Sequence, residues 1–389
     1  MNFIPRAQVR DRWLRTLSQM QCGTLEFTGP GDEKVTQTGT QPGPNATLVI
    51  HDWSVLARAA ARGDIGLGED YIAGGWDTDN IETLISYFLR NMDSLDGYSD
   101  GNLFNRFAFV LLNTVVRRNS LGGSKRNIEA HYDVGNDFYS LWLDETMTYS
   151  SALFANHEDT LADAQRNKYG RILSKLESRA ENILEIGCGW GGFAEEAAKA
   201  GGRVTGITIS PSQYTFASRR LSDKADIRLE DYRKIGGVFD AVVSIEMFEA
   251  VGERYWAKYF EVLAERLKRG GRAVVQTILI RDELFSSYRR RSDFIRHYVF
   301  PGGMLPSLAR FKDEAALAGL RVVDAFSFGQ DYARTLRTWS TRMREREKEI
   351  LALGRDQRFL RNWQFYLGMC AAAFAVGRTN VAQVELMHV

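Results

Sequence analysis

The alternation of short apolar runs with helical windows after Arg179 is the sequence feature that most constrains the fold. Runs rich in β-branched residues predict five strands, at 182–186, 204–209, 227–230, 239–245 and 273–278. Helical periodicity predicts helices between them at 193–200, 211–221 and 254–268. This alternation predicts an α/β fold with a doubly wound, Rossmann-like sheet of parallel strands. A ligand is then expected over the carboxyl ends of those strands.

The first part of the chain predicts a smaller α+β domain. Glycines separate short extended runs at 24–27, 34–38 and 46–50. Asp52 and Asn80 are predicted to cap helices that run through Ala61 and Arg90. An apolar stretch at 103–118 predicts a connecting helix. We therefore predict an N-terminal domain with its linker helix at 1–120 and a second domain at 121–389.

Charge and cysteine content exclude several classes of protein. Lys and Arg total 50 against 49 Asp and Glu, so the net charge of +1 gives no chain-wide positive field for nucleic acid. No apolar stretch approaches the ~20 residues that span a bilayer, and residues 1–15 lack the apolar core of a secretory signal. Three widely spaced cysteines are typical of a reducing compartment. We expect a cytoplasmic protein with no metal site.

A glycine-rich segment follows the first predicted parallel strand. It reads Glu185-Ile-Gly-Cys-Gly-Trp-Gly-Gly192 and opens a helix, so that backbone N–H groups can approach a ligand. A dinucleotide site would place an acid at the end of the next strand, where this chain has Thr208 and Ser210, with Gln213 one turn later. The pattern therefore argues against NAD and is compatible with S-adenosylmethionine. The alternative is a tight turn without a ligand.

Longer motifs resemble those of the cyclopropane fatty acid synthase family. They are His131-Tyr-Asp-Val-Gly-Asn-Asp-Phe-Tyr139, Met147-Thr-Tyr-Ser150, the glycine segment, Met247-Phe-Glu249 and Tyr298-Val-Phe-Pro-Gly-Gly-Met-Leu-Pro-Ser307. Gly66-Leu-Gly-Glu-Asp-Tyr71 resembles that family's extra N-terminal domain, so the resemblance covers nearly the whole chain. It implies a class I methyltransferase sheet, with 121–389 as the S-adenosylmethionine-dependent catalytic domain.

The resemblance also implies a reaction and a cofactor site. The reaction is methyl transfer to the cis double bond of an acyl chain in a membrane phospholipid, which gives a cyclopropane. Because an alkene is a poor nucleophile, the site must align it with the methyl donor and exclude water. The expected cofactor-binding residues are Tyr132, Tyr149, Ser150, Glu185, Gly187, Gly189, Gly191, Thr208, Ser210, Gln213, Asp231 and Tyr232.

Aromatic faces can stabilise the cation that methyl transfer leaves on the acyl chain. The candidates are Tyr132, Tyr149, Phe248, Tyr298 and Tyr332, and ordinary core packing is the alternative for each. Tyr298 and Tyr332 are also predicted to be catalytic.

The resemblance implies a bicarbonate ion that removes a proton from this cation. At the positions that hold the ion in the family, this chain has Ser151, Glu249, Gln276 and Tyr332, with Ala250 beside Glu249. A Cys and two His of the family pattern are replaced. We therefore predict that bicarbonate matters less here, and that Glu249→Gln lowers activity by about 10²–10⁴-fold.

The altered pocket leaves the product open. A cyclopropane is one alternative, and a methyl-branched, methylene or methylated-diene chain without ring closure is another. A relative that binds lipid or S-adenosylmethionine without catalysis is the alternative of a different class. A homodimer is also open, because the sequence does not fix the oligomeric state.

Two basic segments are candidates for contact with phospholipid headgroups. Residues 281–297 hold five arginines against three acids, and residues 334–361 hold nine basic residues against four acids. Leu336, Trp339, Met343 and Ile350 recur there at helical spacing. A basic amphipathic helix predicts peripheral association with the inner face of the cell membrane. The alternative is a helix whose apolar face packs in the core.

Overall fold

The computed structural model describes residues 6–95, 134–176, 180–291 and 293–389, which fall into two compact units. The first takes its described residues from Met1–Val116, Ser287–Val299 and Glu347–Arg378. The second takes them from Arg117–Ser286, Phe300–Arg346 and Thr379–Val389. Three separate segments of the chain thus form the first unit, whereas the predicted division has a single boundary after residue 120. The apolar stretch at 103–118 lies outside the described residues.

The first unit contains a four-stranded sheet in the order β2-β1-β3-β4. Strand β1 pairs antiparallel with β2 and parallel with β3, and β4 pairs antiparallel with β3. The predicted α+β content is confirmed. The strands are β1 Cys22–Gly29, β2 Glu33–Thr38, β3 Gln41–Ile50 and β4 Trp76–Asp77; the helices are α1 Arg6–Leu17, α2 Ser54–Arg62, α3 Asp64–Ile72, α4 Ile81–Arg90, a π-helical turn Ile295–Val299, α13 Glu347–Ala352 and α14 Gln357–Ala375.

The two predicted helix caps of this unit have different outcomes. Asn80 is the N-cap of α4, because its side-chain oxygen accepts a hydrogen bond from the Thr83 N–H at 3.0 Å. Asp52 accepts the N–H of Ser54 at 2.7 Å, yet the N-cap position of α2 falls on Trp53. Asp52 therefore supplies the predicted capping hydrogen bond, from one residue before the position that directly precedes α2.

Helix α14 completes the first unit by packing on α3 and α4. A Cβ on Gly368 would lie 2.7 Å from the Ile81 side chain, so this approach requires glycine. The Arg361 guanidinium donates to the carbonyl of Trp76 at 2.9 Å and to the carboxylate of Asp77 at 2.9 Å. These contacts explain why a segment near the C-terminus belongs with the N-terminal strands.

The second unit is built on a seven-stranded sheet in the order β10-β11-β9-β8-β5-β6-β7. Strands β5 to β9 are mutually parallel, whereas β11 is antiparallel to both β9 and β10. The strands are β5 Asn182–Ile186, β6 Arg203–Thr208, β7 Ala225–Leu229, β8 Phe239–Ile245, β9 Leu267–Ile280, β10 Leu320–Ser327 and β11 Thr379–His388. The predicted α/β, doubly wound fold is confirmed, with two further strands that the sequence did not predict: β11, antiparallel to β9, and β10, antiparallel to β11.

Helices cover both faces of this sheet and bury two apolar layers. One layer is centred on Phe248, Trp256 and Phe260, and the other on Ile172 and Phe193. The helices are α5 Asn136–Trp142, α6 Leu161–Lys175, α7 Gly192–Lys199, α8 Pro211–Leu221, α9 Trp256–Arg266, α10 Asp282–Tyr288, α11 Leu308–Leu317 and α12 Gly329–Glu345. Within the described ranges, no helix combines the length and apolarity needed to cross a bilayer.

Candidate active site

The glycine segment joins β5 to α7 in the second unit. Gly187, Gly189 and Gly191 have φ values of 83°, 53° and 86°, in the left-handed region that favours glycine. A Cβ on Gly187 would lie 2.8 Å from Met247, and one on Gly191 would lie 2.9 Å from Leu221. A Cβ on Gly189 would meet nothing within 4 Å. Gly189 therefore exposes open backbone before the start of a helix, as a bound ligand requires.

The predicted polar residues at the end of β6 lie together. The Thr208 hydroxyl donates to the Gln213 side-chain oxygen at 2.9 Å and accepts the Ser210 N–H at 3.2 Å. Ser210 in turn caps α8. Asp231, predicted to lie near the adenine, is held by Arg233, whose Nε donates to Asp231 Oδ1 at 2.8 Å. A ligand in this region therefore meets side chains that the protein has already oriented.

Of two further tyrosines predicted to bind the cofactor, the structure describes one. Tyr232 is partly buried against Tyr259, with ring centroids 5.7 Å apart, and burial raises the pKa of its hydroxyl. Tyr132 lies outside the described residues.

Glu185 stands at the carboxyl end of β5, next to the glycine segment. It is 2% exposed, and its Oε2 is buried with no hydrogen-bond partner among the described residues. Burial raises the pKa of this carboxyl group to about 8. A buried carboxyl oxygen without a donor is unfavourable unless a ligand supplies one. The open backbone and this oxygen together fit S-adenosylmethionine, which carries positively charged groups.

A second cluster is centred on Glu246, which the sequence analysis did not single out. The Ser151 N–H and the Gln276 Nε2 both donate to Glu246 Oε1 at 2.8 Å. The Tyr332 hydroxyl donates to Glu246 Oε2 at 2.6 Å. Three residues predicted to be catalytic thus converge on one carboxylate. Ser151 contributes its backbone N–H rather than the expected hydroxyl, which donates to the carbonyl of Ala152.

The backbone of Glu246 is strained. Glu246 directly follows β8 and has φ of 49°, a left-handed conformation that costs a non-glycine residue roughly 1–2 kcal/mol. Its N–H donates to the Gln276 carbonyl at 2.8 Å, which fixes this conformation. Such strain concentrates at functional sites. An acid at the carboxyl end of a predicted parallel strand was the sequence signal that could have identified Glu246.

Lys168 is a fully buried lysine whose charge acts on Glu246. Its Nζ donates to the Ser150 hydroxyl at 2.7 Å, so that predicted cofactor-binding hydroxyl is already engaged. Burial lowers the pKa of Lys168 to about 7. Burial also raises the pKa of Glu246, and the Tyr332 hydrogen bond and the charge of Lys168 partly oppose that rise. Sequence patterns did not predict Lys168, because a helical lysine is usually solvated.

Glu249 lies on the turn Phe248–Ala250, beside the same cluster. Its Oε1 accepts hydrogen bonds from the Thr277 hydroxyl at 2.9 Å and from the Ile278 N–H. Its Oε2 is buried with no hydrogen-bond partner in the part of the chain that the structure describes. Burial, followed by the charge of Glu246, raises the pKa of Glu249 to about 8. At neutral pH, Glu249 is therefore mostly protonated.

The aromatic candidates separate into three groups. Tyr149 and Tyr332 both pack on Trp339, with ring centroids 5.3 and 6.2 Å away. Phe248 is fully buried and stacks on Trp256, so it has the core role that was its alternative. Tyr298 belongs to the first unit, where its hydroxyl donates to Glu69. We call Tyr149, Tyr332 and Trp339 the aromatic wall, which Tyr332 connects to Glu246 through its hydroxyl.

The apolar residues of the basic segment 334–361 pack in the core, which was the alternative to membrane contact. Leu336, Trp339, Met343 and Ile350 are all buried. Arg296, in the other segment, is buried and paired with Asp293. Arg337, Arg344 and Arg346 are exposed. Lipid contact by residues 334–361 would thus rest on basic side chains, since the apolar stripe is already covered.

The sheet order and the ligand-accommodating glycine segment at β5 define the class: an S-adenosylmethionine-dependent methyltransferase of class I. The chain belongs to the mycolic acid cyclopropane synthetase family, which matches residues 120–384. This result confirms the predicted family, enzyme class and cofactor. The family supports S-adenosylmethionine-dependent modification of unsaturated acyl chains of lipids.

Two relatives match across most of their length. The tuberculostearic acid methyltransferase UfaA1 of Mycobacterium tuberculosis is 36% identical over 368 residues, which cover 91% of this chain and 86% of that protein. The cyclopropane-fatty-acyl-phospholipid synthase of Escherichia coli is 34% identical over 345 residues, which cover 87% of each. Both alignments extend well beyond the region matched by the family, so they include much of the N-terminal part of the chain.

Two solved structures each resemble about two thirds of the chain. The cyclopropane synthase MmaA2 from Mycobacterium tuberculosis has a TM-score of 0.64 and 27% identity, covering 70% of this chain and 99% of that one. The mycolic acid cyclopropane synthase CmaA1, complexed with SAH and CTAB, has a TM-score of 0.63 and 28% identity, covering 67% and 97%. The SAH in that complex agrees with the cofactor inferred from the glycine segment.

Proposed function

We propose that this enzyme methylates the double bond of an unsaturated acyl chain in a membrane phospholipid, giving a cyclopropane or a methylated chain. The observation that carries the proposal is the buried carboxylate of Glu246 beside the aromatic wall of Tyr149, Tyr332 and Trp339. S-adenosylmethionine supplies an electrophilic methyl group when bound. An alkene that accepts this group becomes a carbocation, which needs aromatic faces, exclusion of water and a base.

The described residues match these three needs. The rings of Tyr149 and Tyr332, which pack on the fully buried Trp339, are the candidates for π faces toward a cation. Their packing excludes water that would otherwise trap the cation as an alcohol. The polar atoms of the cluster are already bonded to one another, so they do not solvate an apolar acyl chain. A methyltransferase for a polar nucleophile would need no such combination.

The names of the two relatives support the substrate class. One is named for a fatty-acyl-phospholipid and the other for tuberculostearic acid, and both names concern acyl chains. We place the substrate in the phospholipid itself. The local excess of basic residues at 334–361 supports peripheral contact with an anionic bilayer surface at the inner face of the membrane, at roughly 1 kcal/mol for each basic residue near that surface.

Incubation with vesicles tests this proposal. Purified protein is given S-adenosylmethionine bearing a trideuterated methyl group and anionic vesicles of a monounsaturated phospholipid. The matched control uses the saturated phospholipid. We expect S-adenosylhomocysteine and labelled acyl chains from the unsaturated vesicles alone, with less product at high salt because screening weakens surface contact.

The deuterium count separates products that lose a deuteron of the new methyl group from products that keep all three. A cyclopropane or a methylene branch retains two of the three deuterons, because one deuteron is lost from the methyl group. A methyl branch beside a shifted chain double bond retains all three. Labelling of a free unsaturated fatty acid with none in the phospholipid would contradict the assignment of phospholipid as the substrate.

A further inference from the structure

We propose that Glu246 is the base that removes a proton from the methylated acyl chain, so that the reaction needs no external anion. The inference rests on the proposed function and assigns its proton-removal step to one side chain. Glu246 receives three hydrogen bonds, from the Ser151 N–H, Gln276 and Tyr332. No other carboxylate in the described parts of the second unit combines this set of donors with the end of a central strand.

The hydrogen-bond count leaves Glu246 able to accept a proton. A carboxylate has about four lone-pair sites, two on each oxygen. Among the residues that the structure describes, Ser151 and Gln276 donate to Oε1 and Tyr332 alone donates to Oε2. One site on Oε2 therefore remains, on the oxygen that faces the tyrosine of the aromatic wall.

Glu246 precedes a residue that contacts the glycine segment, where the methyl donor is expected to bind. A Cβ on Gly187 would lie 2.8 Å from the Cγ of Met247, the residue that follows Glu246. Strand β8 also pairs directly with β5, which leads into the glycine segment. Glu246 is thus adjacent in sequence to a residue that packs against the glycine segment, and it follows a strand that pairs with β5.

The neighbouring groups have different contacts: among the described residues, Glu249 accepts hydrogen bonds from Thr277 and Ile278, whereas Glu246 accepts one from the tyrosine of the aromatic wall. Glu249 is mostly protonated at neutral pH, because burial and the charge of Glu246 raise its pKa to about 8. The Lys168 Nζ is engaged with Ser150. The left-handed backbone of Glu246 gives an independent reason, since a purely structural role would be met by glycine without strain.

The proposed step is balanced in atoms and electrons. Methyl transfer leaves one former alkene carbon cationic. Glu246 accepts a proton from the new methyl group or from the adjacent chain. The electron pair of the broken C–H bond closes a three-membered ring or forms a double bond, and the neutral carboxyl group later returns its proton to solvent. No oxidant or reductant is consumed.

The sharpest test is Glu246→Gly with added formate. Glycine relieves the left-handed strain and leaves a carboxylate-sized space among three donors. We expect product formation to fall by about 10²–10⁴-fold and to recover with saturable dependence on formate, which leaves the wild type unchanged. Calorimetry of the variant without cofactor or lipid should show formate binding that the wild type lacks.

Glu246→Gln keeps the shape and removes the base. We expect it to lose as much product and not to respond to formate, and any cation that still forms should be trapped by water as an alcohol. Glu314→Gln is the matched control, because Glu314 is also buried and paired, with Arg310 on α11, away from the cluster. It should keep the wild-type product.

The outcomes separate this inference from the proposed function. Wild-type product yield from Glu246→Gln overturns the assignment of the base. A folded Glu246→Gly that binds formate without recovering activity also overturns it. If the wild type labels no phospholipid, the proposed function fails instead, and calorimetry of the glycine variant then reports only whether Glu246 fills an anion site.

Discussion

Two neighbouring regions along one edge of the sheet are built by opposite means. At β5 and β6, the glycine segment presents backbone, and a Cβ on Gly189 would meet open space. At β8 and β9, side chains fill the site, and each oxygen of Glu246 already has a donor from the protein. The first region leaves room for a ligand that arrives, whereas the second holds a carboxyl group that donors from the protein already surround. The first should therefore be sensitive to added bulk, and the second to changes of charge.

Gly189→Asp should break the first region with the largest effect. A side chain and a negative charge would enter the open space next to the ligand, so we expect affinity for S-adenosylmethionine to fall by about 100-fold or more, equivalent to ~3 kcal/mol. Isothermal titration measures the affinity. Gly201→Asp is the matched control, since Gly201 also has positive φ, of 92°, and an empty Cβ position. Equal losses in both variants would show strain rather than ligand contact.

Glu249→Gln distinguishes the two carboxyl groups of the second region. Because the pKa of Glu249 is raised to about 8, the amide resembles the protonated state present at pH 7. We now expect a loss of about tenfold or less, near the worth of one hydrogen bond, instead of the larger loss that the sequence predicted. Product formation at pH 7 measures it. A fall as large as that of Glu246→Gln would mean that Glu249 acts as an anion.

Lys168→Met tests the charge balance around Glu246. The positive charge of Lys168 lowers the pKa of Glu246, whose other titratable neighbours are Tyr332 and Glu249. Removing that charge raises the pKa of Glu246, so less of the base is ionised at a given pH. The acid limb of kcat/KM should move to higher pH by about half a unit to one unit.

The pH–rate profile measures this shift, with Lys175→Met as control. Lys175 lies on the same helix, and its ammonium pairs with Asp324 at 3.0 Å instead. The control profile should match that of the wild type. If the acid limb of Lys168→Met stays where it is in the wild type, the charge of Lys168 does not set the pKa of the base.

The elements that the sequence predicted well are those with local signals. Strand β8 and helix α8 begin and end where predicted, because Ser210 and Pro211 mark a helix start and β-branched residues mark the strand. Strands β10 and β11 were missed, because their polar residues hide the pattern. Gln383 is buried on β11, where its amide donates to the oxygen of Gln276 on β9 at 3.1 Å and accepts from Arg171 at 2.8 Å.

The same distinction applies to the candidate site. Gly187, Gly189 and Gly191 form a motif within a few residues, which the sequence displays directly. Glu246 acquires its role from partners 95 and 86 residues away, Ser151 and Tyr332. Predicting Ser151, Gln276 and Tyr332 depended on a family pattern, and that pattern supplied no residue at their centre. The sequence could not reveal this cluster, because only the tertiary fold brings Glu246 together with its three donors.

The direct test of the central claim, that the protein carries its own base, is the response of the wild-type enzyme to bicarbonate. Initial rates of product formation are measured in carbonate-depleted buffer and again after bicarbonate is added at constant pH and ionic strength. Because Glu246 already occupies the three donors, we expect rates that agree within about twofold. A rate that collapses on depletion and recovers in a saturable way with bicarbonate would show that an external anion, and not Glu246, removes the proton.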